Sequence, residues 1–83
     1  MDKDSTFREL SYWYKYLFEK LGWMLLAKKH GNDIQLNAYK NSVDELITHL
    51  NSKHKTLKDK DKKNDIKIIL NNTKILKSYV DKI

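Results

Sequence analysis

The chain has no cysteine and no proline, and its 83 residues include only two glycines, Gly22 and Gly31. Without cysteine there is no disulfide to stiffen a small domain, and the chain suits a reducing compartment. Without proline, and with glycine so scarce, little interrupts helical backbone. Long apolar runs are missing too. The longest, Trp23 to Ala27, is five residues, and a membrane-spanning helix needs about 20. The opening "MDKDSTFREL" has no apolar core of the kind an export signal carries. Neither export nor membrane insertion is expected, and an intracellular location follows.

Catalytic equipment is also missing. No glycine-rich phosphate loop is present, and no nucleophile–base pair follows from spacing. His49 and His54 are five apart, so on a helix they diverge and cannot share a metal. "DKDKKND" starts like a calcium loop but lacks the glycine, and Leu70 stands where the closing glutamate belongs. No enzyme activity, cofactor, metal or small-molecule substrate is expected.

What the chain does have is charge, rings and a heptad rhythm. The net charge is +6. Residues 1–31 contribute +2, residues 32–52 contribute −2, and residues 53–83 contribute +6. Any pull on a polyanion would be felt in the last third. Lys53, Lys55, Lys58, Lys60, Lys62, Lys63, Lys67, Lys74 and Lys77 form a candidate nucleic-acid-binding surface. Lysine without arginine reads bases poorly, so such binding would be nonspecific. The plainer reading of these lysines is a solvated face.

Three apolar series step by three and four. Phe7, Leu10, Tyr14, Leu17, Leu21 and Met24 mark a first helix over about 6–30. Thr6 with Glu9 fits a capping box, and Gly31 suits the left-handed residue after the last turn. Leu36, Tyr39, Val43, Leu46, Leu50 and Leu57 mark a second helix over about 33–58. Ile66, Ile69, Thr73, Leu76, Val80 and Ile83 mark a third over about 62–81. Between the last two, "KDKDKKND" has no apolar residue and the phase shifts by two. It reads as a turn, with Asp61 or Asn64 capping the third helix. The expected fold is one all-α domain, a three-helix up-down-up bundle. The alternative is a helical hairpin whose second helix runs unbroken from about Asp33 to the end.

Six of the nine aromatic residues fall between Ser11 and Gly31. At about 100° per residue, Phe7, Leu10, Tyr14, Leu17, Phe18, Leu21, Met24 and Leu25 share the main face of the first helix. Tyr12, Tyr16 and Trp23 point the opposite way, with Ala27 beside them. Trp13 sits on the boundary, and Arg8 and Lys15 lie among the outward rings. One face would pack on the bundle and the other would be free. Tyr, Trp and Arg dominate binding energy at interfaces, so Tyr12, Trp13, Tyr16, Trp23, Arg8 and Lys15 form a candidate protein-docking face. The competing reading is a helix sandwiched in its own bundle with ring edges half wet.

The runs "YWYKYLFEKLGWMLLAKKHG", "YKNSVDELITHL" and "DKDKKNDIKIILNNTKILK" resemble small proteins of the large cytoplasmic DNA viruses. The resemblance implies a viral origin and carries over no site residue. For such a protein it implies one of two places: cementing a virion shell, or accompanying packaged DNA. The first choice from the sequence is therefore a noncatalytic module, a virion or assembly component that joins a homo-oligomer or a protein partner. A nonspecific nucleic-acid-binding protein is the alternative.

Overall fold

A computed structural model describes residues 3–83, with side chains from Phe7 onward. Four helical segments follow one another: α1 (Lys3–Glu19), α2 (Leu21–Lys29), α3 (Asp33–Thr56) and α4 (Lys60–Asp81). There is no strand among the described residues. α1 and α2 are two halves of one bent helix, so the architecture is the expected three-helix bundle. Hydrogen bonds fix its direction. Trp13 of α1 reaches Ser42 of α3, Tyr39 of α3 reaches Leu17, and Asp44 of α3 pairs with Lys77 of α4. α3 therefore runs antiparallel to both neighbours, and α1 and α4 run parallel. The 24-residue α3 sets the long dimension of a 45 × 22 × 16 Å molecule.

The helix ends follow local chemistry. After α2 the amide of Asn32 donates to the Ala27 carbonyl (2.8 Å) and that of Gly31 to Lys28 (3.2 Å). This is a Schellman cap, and it needs Gly31 in the left-handed region, at φ +73°. Asn32 then caps α3. Its side-chain oxygen accepts from the Gln35 amide, and its own amide group donates to the Gln35 side chain. α4 begins at Lys60, earlier than the sequence suggests. Its cap is Asp59, whose carboxylate accepts from the amides of Asp61 (2.9 Å) and Lys62 (3.3 Å). Neither Asp61 nor Asn64 caps it, because both already lie inside the helix. The unbroken second helix is excluded, since Leu57 and Asp59 are extended, with ψ 134° and 120°. α1 begins at Lys3, so Thr6 is not at its start; the proposed Thr6–Glu9 box involves a side chain outside the described residues.

The first helix bends at Lys20. Backbone bonds still run from Lys20 to Tyr16 and from Met24 to Lys20. Between them, the Leu17 carbonyl accepts the buried hydroxyl of Tyr39. A side chain that enters the helical ladder is an established cause of a bend, and Gly22 lies two residues beyond Lys20. Burial pushes the Tyr39 hydroxyl up to about 12.

One core runs the length of the bundle. Leu10, Leu17 and Met24 from the first helix meet Val43, Leu46 and Leu50 from α3 and Ile66, Leu76 and Val80 from α4. Thr73 is fully buried in this layer, and its hydroxyl donates to the Ile69 carbonyl at 2.7 Å. That bond meets the requirement for burying a hydroxyl. Two expectations for the first helix fail here. Ala27 is buried, not outward, and Phe7, Phe18 and Leu25 are exposed, not in the core. Only two helices flank the first one, and they cover less than the full apolar arc on its wheel.

Candidate docking surface

The flank of the first helix nearest α3 carries the predicted rings. Tyr12, Tyr16 and Trp23 are 63%, 58% and 63% exposed. α3 and α4 leave more than half of each ring in solvent. Tyr16, Lys20 and Trp23 form one wall of an open groove of about 500 Å³, and Gln35, Ala38 and Ser42 of α3 form the other. Tyr39 and Met24 reach its floor. The Lys20 ammonium sits 5.4 Å from the Tyr16 ring centroid, which steadies that ring with a charge on its face. Arg8 and Lys15 are exposed on the same helix.

Trp13 does not belong with the free rings. It is half-buried, its indole nitrogen donates to the Ser42 hydroxyl at 3.1 Å, and its ring tilts against His49 at 5.4 Å. Its binding capacity is used inside the fold. The structure thus keeps five of the six predicted docking residues on the surface and moves one into a packing role.

The lysines do not form one sheet of charge. Lys53 lines a cleft with Glu9, Leu10, Trp13 and His49, so it faces α1 and an acidic neighbour. Lys77 is paired with Asp44. The hydrogen bond that the Lys77 ammonium donates to the Asp44 carboxylate raises the Lys77 pKa, with the charges of Asp44 and Asp81 adding to it. Lys62 and Lys63 are half-buried. Lys55, Lys58, Lys60, Lys67 and Lys74 remain exposed, around the α3–α4 connection and the outer side of α4.

His54 is half-buried and His49 is exposed beside Trp13. Among the described residues no three His, Cys, Asp or Glu side chains gather where a metal could be held. No helix among them is long and apolar enough to cross a membrane. Phe7 and Phe18, which the wheel places on the packed face, are exposed, and so are Ile68, Ile75 and Tyr79. The available signal was arc width: α4 is apolar over roughly half its circumference, more than two neighbours cover.

Comparison of the chain with family models, curated proteins and solved structures gives no match.

Proposed function

We propose that the chain is a noncatalytic interaction module that binds a protein partner in the groove between the first helix and α3. The observation that carries this reading is the pair Tyr16 and Trp23. Both are large, both are mostly exposed, and both stand on the wall of one groove. Monomers rarely leave such rings on contiguous surface without a use for them. The groove runs between two antiparallel helices, so it suits an amphipathic helix laid along it. Such a ligand would place apolar anchors against Tyr16, Trp23 and Ala38. An acidic position would meet Lys20. The biological role that fits is an assembly component, of the virion-structural kind that the sequence resemblance implies.

Selection of helical peptides from a randomised library against the pure chain tests this. Selected ligands are expected to lose binding to Tyr16→Ala with Trp23→Ala, while that variant keeps its helical circular dichroism. Unchanged binding, or an unfolded double variant, would defeat the reading.

A second reading rests on Lys60, Lys67 and Lys74, which stay exposed on α4. It assigns them nonspecific contact with nucleic-acid phosphates. Binding to duplex DNA would then be measurable at low salt and would weaken steeply as salt rises. The pairing of Lys77 with Asp44 and the place of Lys53 beside Glu9 thin this surface and put the reading second. A chain that shifts no DNA at low salt would remove it.

A further inference from the structure

The end of the bundle where α2 turns into α3 is chemically unlike the rest. α2 packs on α3 and scarcely meets α4. Lys77 pairs with Asp44, and α4 ends one turn later at Asp81, so α2 and the first turns of α3 project beyond it. From Leu21 to Ala27 the chain carries no charged side chain. Met24 and Ala27 form the buried line of α2, with Leu21 half-buried beside them. At about 100° per residue, Trp23 and Leu25 stand on either side of Met24, and Leu26 lies nearly opposite it. These three are 63%, 55% and 48% exposed. Just past the Gly31 cap, Ile34 is 86% exposed, more than any other large apolar side chain among the described residues. α2 is therefore apolar on every side, while its one close neighbour covers a single side. A helix apolar all round ordinarily lies inside a core or in lipid.

We infer that this tip seats in the headgroup layer of a bilayer that carries anionic lipid. The contact is peripheral, since no described helix is long and apolar enough to cross a membrane. Three observations select a lipid surface. The first is shape. The exposed apolar side chains point in several directions around a projecting end. The groove of a protein partner covers one side of such an end, whereas lipid closes around it. The second is arrangement. Lys20 precedes the apolar run and Lys28 and Lys29 follow it, with Trp23 inside it. A tryptophan settles at headgroup depth, and lysines at the ends of the run reach outward to phosphates. The third is charge. Residues 19–43 hold four lysines, Lys20, Lys28, Lys29 and Lys40, against two acids, Glu19 and Asp33. The next acid, Asp44, is already paired with Lys77. The whole chain carries +6, so an anionic membrane surface draws it in and the basic tip meets that surface first. Trp23 also stands on the docking groove, but Leu26 and Ile34 do not line it. The two surfaces can therefore be broken separately.

Co-sedimentation of the full chain with phosphatidylcholine vesicles, with and without phosphatidylserine, tests the inference. Binding is expected to the vesicles that contain phosphatidylserine and to be weaker without it. It should shift tryptophan emission to the blue, and Trp23→Phe should remove that shift. Ile34→Glu and Leu26→Glu are each expected to weaken vesicle binding about tenfold or more, with unchanged helical circular dichroism. Both should still bind the helical peptides selected for the groove, whereas Tyr16→Ala should weaken peptide binding and keep vesicle binding. A chain that ignores phosphatidylserine vesicles at low salt would overturn the inference. So would binding that survives both glutamate variants, which would assign it to the lysines around the α3–α4 connection. Self-association lost in Leu26→Glu and Ile34→Glu, without vesicle binding, would make the tip a protein contact and would also overturn it. If Leu26→Glu unfolds the chain, the outer side of α2 is packed and the inference falls.

Discussion

The α3–α4 pair and the bent α1–α2 arm are built from similar residues and use them differently. α3 and α4 bury a continuous line of apolar residues against each other and the first helix, although Ile34, Ile68, Ile75 and Tyr79 stay exposed. Leu46, Leu50, Ile66 and Val80 are all but sealed from solvent, Asp59 caps the joint, and Lys77 ties to Asp44 across it. The arm buries one line, Leu10, Leu17 and Met24, and leaves large side chains exposed on both sides of it. In a chain this short, apolar surface left in water is stability forgone. The contrast teaches that the pair is the scaffold and the arm is the presenting element. Substitutions should therefore split by location, with large stability effects in the pair and small ones on the arm.

The largest effect belongs to the scaffold core. Leu46→Ala removes a side chain with no exposure and should cost about 2–5 kcal/mol in urea unfolding. A loss below about 1 kcal/mol would mean the pair is not the scaffold.

Tyr39 joins the two regions, and it comes next. Tyr39→Phe leaves the Leu17 carbonyl without its donor and should cost about 1–2 kcal/mol. It also carries a pH signature. The hydroxyl titrates at about 12 in the folded chain against 10.0 for an ordinary tyrosine. Between those values the unfolded chain has given up the proton and the folded chain holds it. Stability supplied by Tyr39 is therefore complete below pH 10 and is lost as pH rises to about 12. Denaturant titrations across that window should show a steeper decline for wild type than for Tyr39→Phe. Equal slopes would mean the hydroxyl is not buried in the folded state.

Asp59→Ala should cost about 1 kcal/mol and fray the first turn of α4, visible as faster amide exchange at Asp61 and Lys62. Gly22→Ala should have the smallest effect and the opposite sign. A Cβ there meets nothing within 4 Å, so alanine should stabilise the arm by about 0.5–1 kcal/mol. A destabilising result would show that the bend at Lys20 depends on Gly22 itself.

Much of this was legible in the sequence, for reasons that are local. Gly31 followed by Asn32 announces a Schellman cap and the next helix start, and both functions are served by neighbours in sequence. The three heptad series select the buried lines, and the phase shift at "KDKDKKND" marks the turn. What could not be read depends on distant partners. The bend is made by Tyr39, 22 residues beyond the carbonyl it reaches. Trp13 left the docking set because of Ser42, 29 residues away. Asp59, Asp61 and Asn64 are all chemically able to cap a helix, and only the backbone at Leu57–Asp59 chooses among them. A helical wheel shows how wide an apolar arc is. It does not show how much of that arc two neighbours cover, so it placed Phe18 in the core.

The most direct test of the account is the unfolding free energy of Tyr12→Ala, Tyr16→Ala and Trp23→Ala combined in one chain, measured under monomeric conditions. Rings that serve no part of their own fold should together change it by no more than about 1.5 kcal/mol, the range of three ordinary surface substitutions. A loss of about 4 kcal/mol or more would place those rings in the core and contradict the account.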